Sequence, residues 1–183
     1  MPTYIALLRA VNVGGTGKLS MSDFRKLLAD LGYRNVETYI QSGNAVFDGT
    51  GSAANVAKAI AAALERLTGA PAGVIVRTHD DLERAIAANP FATEAAADGS
   101  RVHAVFLTGS PAAALAAGLD RILTQYPTRR DRYLLAGDTL YLHLPDGAAE
   151  SKFTAKAIDR ILNVTGTARN WNTVLKLQAM SKR

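Results

Sequence analysis

The first half of the chain alternates apolar runs of strand length with stretches that repeat apolar residues every three or four positions. Leu27, Leu28 and Leu31 follow the helical spacing, and Gly32 supplies a stop signal. The predicted elements are strand 4–10, helix 21–31, strands 36–41 and 44–47, helix 54–67 and strand 74–77. Their order, βαββαβ, is that of a ferredoxin-like unit.

The second half repeats this order less regularly. A helix over 80–88 stops at Asn89-Pro90. The next elements are a linker at 92–100, strand 102–107, a helix from Ser110-Pro111 to 123, strands 132–136 and 139–144, helix 152–162, a short strand to 168 and helix 171–180. We therefore predict an α+β fold of duplicated ferredoxin-like halves with mainly antiparallel sheets and a C-terminal helix. The predicted halves are 1–91 and 101–183, joined by the linker.

The composition is that of a globular protein without cysteine chemistry. Of its 183 residues, 48% are apolar, 20% are charged and none is cysteine, which excludes disulfides and thiolate metal sites. No stretch reaches the roughly 20 apolar residues of a membrane helix. The first residues lack the basic region of a signal peptide. We therefore expect a cytoplasmic protein that does not act at a membrane.

A glycine-rich loop, NVGGTGK at 12–18, separates the first predicted strand from the first helix. Backbone N–H groups at such a junction can gather around an anion. The loop lacks the nucleotide-binding fingerprints, because Asn12 and Leu19 break the Walker A pattern and Ser20 replaces the third glycine of G-x-G-x-x-G. A tight turn that needs glycines for positive φ is the alternative.

The topology predicts that this loop has a polar neighbour. The first and second strands of a ferredoxin-like sheet run toward the same end, so loop 12–18 and turn 41–44 should lie side by side. The side chains brought within reach of one ligand are those of Asn12, Lys18, Gln41, Ser42 and Asn44. A pure turn explains Gly43 well and Gln41 less well, because a polar amide there needs a partner if it is buried.

A second polar cluster is predicted in the other half. The start of helix 152–162 and residues 169–172 should share one end of their sheet. Asn170 or Asn172 can cap the last helix, and Trp171 can anchor it. The sequence indicates no structural role for Arg169, so this residue is the first candidate for a ligand contact.

The positive charge is concentrated near the C-terminus. The chain carries +5, and residues 151–183 contain seven basic residues against Asp159 alone. Lys152, Lys156 and Arg160 recur every four residues and form one basic stripe on the predicted helix. A solvated helix face explains such a stripe. Nucleic-acid binding through it, or a protein–protein adaptor with an acidic partner, are the alternatives, although no strand carries the aromatic RNA-recognition pattern.

Residues for metal or covalent chemistry are scarce. His79, His103 and His143 are far apart, and the two on strands have no carboxylate partner in register. No G-x-S-x-G element marks Ser42 as a nucleophile. We predict no metal and no cofactor, and the residues leave catalysis and the oligomeric state open.

Five blocks of the chain resemble one family. LLRAVNVGGTGKLSM at 7–21, TYIQSGNAVF at 38–47, NPF at 89–91, SKF at 151–153 and ARNWNTVLKL at 168–177 are similar to the bacterial domain-of-unknown-function 1697 family. The resemblance implies a duplicated ferredoxin-like architecture and no assigned activity. The positions that it implies the family keeps are Arg9, Asn12, Gly14, Gly15, Gln41, Ser42, Gly43, Asn44, Lys152, Arg169, Asn170 and Asn172.

The chain departs from that family pattern at three positions. Ala10 stands where glycine is common, Thr16 where lysine is frequent and Ala168 where threonine is frequent. The missing loop lysine weakens the case for a phosphate unless Lys18 supplies the charge.

These observations predict binding of a small anionic or phosphate-bearing ligand at loop 12–18 and turn 41–44. A helix N-terminus contributes only about 0.3–1 kcal/mol to anion binding. A micromolar ligand needs roughly 8 kcal/mol. Charged and polar side chains such as Arg9, Lys18, Gln41 or Arg169 therefore have to converge on it.

Overall fold

A computed structural model of the chain describes residues 1–9, 11, 18–127 and 129–183. Internal contacts divide the chain into two units. Unit 1 comprises Met1–Glu83 and Lys176–Arg183, and unit 2 comprises Arg84–Leu175. The C-terminal residues therefore group with the first half of the chain. The domain limits at 91 and 101 stay a prediction.

Unit 1 contains a four-stranded antiparallel sheet with two helices packed on one face. Its elements are β1 (Thr3–Arg9), α1 (Met21–Asp30), β2 (Arg34–Tyr39), β3 (Asn44–Asp48), α2 (Ala53–Thr68) and β4 (Gly73–Thr78). The strand order is β2-β3-β1-β4. Leu7 of β1 is paired with Asn44 on one side and Ile75 on the other, which sets the register.

The central strand β1 is buried on both faces. Tyr4, Ala6 and Leu8 point to the helix side and join the core formed with α1 and α2. Ile5 and Leu7 point to the opposite face and are also fully buried. Because side chains alternate along a strand, a continuous apolar run such as this one indicates burial on both sides.

Unit 2 repeats the architecture. Helix α3 (His79–Ala87) passes from unit 1 into unit 2 and α7 (Trp171–Met180) passes back. The other elements are α4 (Ala92–Ala97), β5 (Val102–Leu107), α5 (Ala113–Gln125), β6 (Arg132–Ala136), β7 (Thr139–His143), α6 (Ala155–Leu162) and β8 (Gly166–Asn170). The antiparallel strand order is β6-β7-β5-β8, equivalent to that of unit 1. The predicted α+β fold with two similar halves and a C-terminal helix is confirmed.

Three elements of unit 2 differ from the sequence prediction. The stretch predicted as a linker contains helix α4, whose Ala-rich sequence favours a helix. Helix α5 begins at Ala113 rather than after Ser110, and no side chain caps it. Helix α6 begins at Ala155 rather than Lys152, because Thr154 is the residue whose hydroxyl accepts from the N–H of Ala157.

The C-terminus is attached to β2 of unit 1. The Arg183 guanidinium donates to the carbonyl of Asn35 at 2.7 Å and to Glu37 at 2.6 Å, and lies 3.6 Å from the carboxylate of Asp48. Burial would raise the pKa of Asp48, but hydrogen bonds from Asn35 and Thr3 and the charge of Arg183 lower it overall. The last residue therefore takes part in the fold of the first half.

Candidate functional site

The β2–β3 connection is a four-residue turn, 40–43, attached to the end of β1. Tyr39 and Asn44 pair across its base. Gly43 N–H donates to the carbonyl of Ile40 at 3.3 Å, and Leu8 N–H donates to the carbonyl of Gly43 at 2.8 Å. The turn thus lies beside the carboxyl end of β1, where the predicted loop starts.

Position 43 accommodates glycine because the turn packs tightly against Leu8 and Val11. Its φ is +82°, in the left-handed region that glycine tolerates best. A Cβ here would lie 2.7 Å from Leu8 Cβ and 2.8 Å from Val11 Cγ2. The close approach of the turn to β1 and to Val11 therefore depends on this glycine.

Ile40 at the start of the turn is strained. Its φ is 47°, a conformation that β-branched residues rarely adopt. Its side chain is 48% exposed, so core burial does not account for an isoleucine here. Strain of this kind costs about 1–3 kcal/mol and is concentrated at functional sites. The sequence analysis did not single out Ile40, because no local signal predicts a left-handed isoleucine.

Two polar residues of the turn are exposed, and the polar residue that follows the turn is buried. Asn44 is fully buried, and its Nδ2 donates to the carbonyl of Tyr39 at 2.9 Å and to Ser42 Oγ at 3.0 Å. Asn44 therefore holds the turn together. Gln41 and Ser42 are exposed. Their amide and hydroxyl groups are the ones that a ligand from solvent can reach.

One cation, Arg9, lies at this end of unit 1. Arg9 ends β1 opposite Gly73 of β4, and a Cβ on Gly73 would lie 3.0 Å from Arg9 Cβ and 3.4 Å from its Cδ. The missing side chain at Gly73 therefore leaves room for the Arg9 stem. Lys18 is exposed just before α1. The predicted site residues Asn12, Gly14 and Gly15 lie outside the described residues.

Arg169 of unit 2 is buried rather than exposed to solvent. Only 6% of it is accessible, and its Nη1 donates to Thr167 Oγ1 and to the carbonyl of Ala168, both at 2.8 Å. Burial lowers its pKa to about 10. The structure thus supplies the structural role for Arg169 that the sequence analysis did not find. A ligand contact by this residue stays a prediction.

The remaining predicted residues of unit 2 have separate surroundings. Asn170 caps α7, since its Oδ1 accepts from the N–H of Thr173 at 3.0 Å. Asn172 is exposed, and its side-chain amide lies against Gly99. A Cβ on Gly99 would collide with the Asn172 amide. The Lys152 ammonium lies 5.5 Å from the centre of the Tyr126 ring. Because α6 begins at Ala155, Lys152 lies outside it, and the predicted basic stripe is reduced on that helix to Lys156 and Arg160.

The predicted site residues thus fall into two sets. Arg9, Lys18 and the turn residues Gln41, Ser42, Gly43 and Asn44 belong to unit 1, whereas Lys152, Arg169, Asn170 and Asn172 belong to unit 2. Within unit 1, hydrogen bonds and packing join the turn to the end of β1. This set forms the candidate site.

A buried polar pair in unit 2 escaped the sequence analysis. Asp131 and Ser151 are each 6% exposed, and Ser151 Oγ donates to Asp131 Oδ2 at 2.8 Å. Ser151 Oγ also accepts from the N–H of Phe153 at 3.1 Å. The pair therefore shapes the SKF segment that precedes α6. The available signal was a lone aspartate among the arginines at 129, 130 and 132.

A second cluster of unit 2 surrounds Phe91. Arg132 is hydrogen-bonded to Glu94 and to His143 Nδ1, and its guanidinium lies 5.0 Å from the Phe91 ring centre. Burial and the charge of Arg132 lower the pKa of His143. These contacts connect β6, β7 and the NPF segment before α4. The spacing of these residues in the sequence does not predict the contacts.

The two strand histidines do not form a joint site. His103 is paired with Leu142, and His143 with Val102, so the histidines point to opposite faces of the sheet. Burial lowers the pKa of His103, whose Nδ1 has no hydrogen-bond partner among the described residues. In the described part of the chain, no three His, Cys, Asp or Glu residues form a group that could hold a metal ion.

Comparison with known families identifies the class of protein. The family model "Protein of unknown function (DUF1697)" matches residues 1–141, and the chain therefore belongs to that family. No curated protein matches the chain. Of the helices in the described ranges, none is long and apolar enough to cross a membrane.

Solved structures support the same fold. The chain is similar to the conserved bacterial protein SP0830 from Streptococcus pneumoniae, with a TM-score of 0.70, 22% identity and 99% of each chain covered. An unknown protein from Galdieria sulphuraria is matched at a TM-score of 0.26 and 14% identity over 92% of this chain and 98% of that one. The first likeness shows the architecture, and no argument rests on the second.

Proposed function

We propose that the end of unit 1 formed by β1 and turn 40–43 binds a small anionic ligand, such as a phosphate-bearing metabolite. The observation that carries the proposal is the strained turn itself. A left-handed, exposed Ile40 precedes the exposed polar residues Gln41 and Ser42. Strain of about 1–3 kcal/mol persists only where the surrounding structure imposes it, and functional sites are where it is concentrated.

The turn is pre-organised for binding. The buried amide of Asn44 ties Tyr39 to Ser42, and Leu8 N–H fixes Gly43 against β1. A ligand that meets the turn therefore finds its backbone and the Ser42 hydroxyl already ordered, which removes part of the entropic cost of binding. Arg9 supplies positive charge at this end of the unit, and Lys18 is the second cation of the predicted set.

Several such contacts are needed. A hydrogen bond to a charged group contributes about 1.5–3 kcal/mol. A micromolar ligand requires about 8 kcal/mol. Contacts from Arg9, Lys18, Gln41 and Ser42 are together of that order, whereas any one of them is too small. The proposal concerns binding, and the site residues assign no reaction to it.

The test is a thermal-shift screen of the full chain against inorganic phosphate, ATP and glucose 6-phosphate. A probe at 100 times its dissociation constant stabilises the native state by about 2.7 kcal/mol. We expect at least one probe to raise the melting temperature of the wild type, and Arg9→Ala and Gln41→Ala to abolish that rise.

Arg34→Ala is the matched control, because Arg34 lies at the opposite end of β2 and pairs with Asp48 of β3. This variant should keep the full response. The proposal is overturned if no probe stabilises the wild type, or if Arg9→Ala and Gln41→Ala respond as the wild type does. It is also overturned if Arg34→Ala loses the response to the same extent.

A further inference from the structure

Unit 2 carries a groove between α5 and α6 with cations along its rim. The groove has a volume of about 720 Å³, and Arg121, Lys152 and Arg160 are among the residues that line it. All three are exposed. Within the described residues, none of the three forms an ion pair with an acidic side chain, and the Lys152 ammonium lies 5.5 Å from the centre of the Tyr126 ring. No carboxylate in the part of the chain that the structure describes therefore neutralises these charges.

The acidic residues of these two helices are turned away from the groove. Asp120 accepts a hydrogen bond from the Tyr133 hydroxyl at 2.6 Å. Asp159 accepts from the N–H of Gly166 at 3.1 Å. Neither is among the residues that line the groove. Like charges at the rim are therefore left without internal compensation.

The floor of the groove is apolar. Leu115, Ile122 and Ile161 line it together with alanines of both helices. Gly118 lets the helices approach closely, because a Cβ there would lie 2.7 Å from Ile161 Cγ2. Leu115 is 37% exposed, which leaves apolar surface uncovered.

The equivalent groove of unit 1 shows that this charge distribution is not required by the fold. The groove between α1 and α2 has a volume of about 430 Å³ and is lined by Asp23, Lys26, Asp30 and Arg66. Lys26 and Asp30 form an ion pair at 2.7 Å. The helix layer of unit 1 is thus internally neutralised, whereas that of unit 2 is not.

We propose that the α5–α6 groove docks an acidic amphipathic peptide segment of a partner protein. Apolar side chains of the peptide cover the floor, and its carboxylates meet Arg121, Lys152 and Arg160. This is the helix-in-groove mode of recognition, in which an amphipathic segment places one face on apolar surface. Twelve residues of helix span about 18 Å, the length of the stretch of α5 that lines the groove.

Charge and apolar floor together favour a peptide over a nucleic acid. Single-stranded nucleic acid binds on stacking platforms of exposed aromatic rings. The aromatic ring that lines this groove, Tyr126, already faces the ammonium of Lys152. Aliphatic floor residues offer no stacking surface but accept leucine-like side chains.

The experiment selects from a library of random twelve-residue peptides displayed on phage, against the full chain and against its Arg121→Glu/Arg160→Glu variant. The wild type should enrich peptides with carboxylates on one helical face and apolar residues on the other. Fluorescence anisotropy of the enriched synthetic peptide should show binding at least tenfold weaker to the variant. Lys26→Glu/Arg66→Glu, in the equivalent groove of unit 1, is the matched control and should bind as the wild type does.

Other outcomes overturn the proposal. These are no enrichment above that on the Arg121→Glu/Arg160→Glu variant, enrichment of neutral or basic peptides, or equal loss of affinity in the control. Preferential binding of oligothymidylate, which displaces the peptide at low salt and is released at high salt, would assign the groove to nucleic acid instead. Circular dichroism melting verifies that each variant is folded, and Arg121→Ala/Arg160→Ala replaces the charge-reversal variant if it is not.

Discussion

The two units share one strand order, yet the same end of the sheet is built differently in each. In unit 1 the β2–β3 turn has four residues, and eleven residues separate β1 from α1. In unit 2 the β6–β7 turn is Gly137-Asp138 alone, and five residues separate β5 from α5. Both turns receive the same hydrogen bond, from Leu8 N–H to Gly43 in unit 1 and from Leu107 N–H to Asp138 in unit 2.

This comparison separates what the fold needs from what it does not. Unit 2 shows that a two-residue turn with Gly137 at φ 59° is sufficient to connect the strands. The longer, strained turn of unit 1 is therefore an addition to the architecture. This longer turn is the part of unit 1 to which we assign the proposed ligand site.

The largest predicted effect comes from the glycines of the two turns. Gly43→Ala adds a Cβ that collides with Leu8 and Val11 in a left-handed residue, so we expect a loss of about 3 kcal/mol of unfolding free energy. Gly137→Ala meets no atom within 4 Å and should cost only about 1 kcal/mol for its positive φ. Urea unfolding of both variants measures the difference. Equal losses would contradict the tight attachment of the unit 1 turn.

The next largest effect concerns the buried pair Asp131 and Ser151 of unit 2, whose hydrogen bond is structural. Ser151→Ala removes the donor to the buried Asp131 carboxylate, and we expect a loss of about 2 kcal/mol. Urea unfolding measures it, with Ser100→Ala as an exposed control. If the Asp131→Ala/Ser151→Ala double variant is no more stable than the sum of the two single changes predicts, the pair does not act as a unit.

A smaller effect is expected from Arg183, which attaches the C-terminus to unit 1. The pKa of Asp48 lies below its ordinary value of 3.8, so this carboxylate stabilises the fold above about pH 4. That contribution is lost as the pH falls through the lowered pKa. Arg183→Ala should cost about 1–1.5 kcal/mol at pH 7, and this difference from wild type should shrink at pH 2.

Thermal melting across this pH range tests the prediction. Arg130→Ala is the control in unit 2, because Arg130 pairs with Asp146 at the exposed surface. We expect no measurable change in stability from that variant. A difference between Arg183→Ala and wild type that stays constant from pH 7 to pH 2 would exclude Asp48 as its source.

The smallest predicted effect is a gain in stability. Ile40→Gly relieves a left-handed isoleucine but adds the entropic cost of glycine, so we expect a net gain of about 0.5–1 kcal/mol. If the strain serves the ligand site, the same variant should lose the thermal-shift response to phosphate probes. A destabilised Ile40→Gly would show that the residue is not strained.

The periodic parts of the chain were predictable and the non-local contacts were not. Alternating and helical apolar patterns predicted the order of strands and helices along the chain, because burial dictates those patterns directly. The predicted start of α6 was wrong. Serine and threonine both favour helix N-caps, and the structure shows that Thr154 caps α6 whereas the Ser151 hydroxyl donates to Asp131.

The candidate site was predictable only in part. The ferredoxin-like topology predicted that turn 41–44 lies beside loop 12–18, and that pairing stays a prediction because residues 12–17 lie outside the described ranges. The turn is hydrogen-bonded to Leu8 near the end of β1. The strain at Ile40 has no signature in the surrounding residues, because it is imposed by the hairpin as a whole. The partners of Arg169 are its sequence neighbours Thr167 and Ala168, but the burial of its guanidinium could not be predicted from the ARNWN block.

The most direct test of the account is an amide NMR titration of the full chain with the phosphate-bearing probe that gives the largest thermal shift. We predict saturable chemical-shift changes at Ile40, Gln41, Ser42 and Gly43 and none at Gly137 and Asp138. Equal changes at both turns, or none at turn 40–43, would contradict the claim that the longer turn of unit 1 is a ligand site.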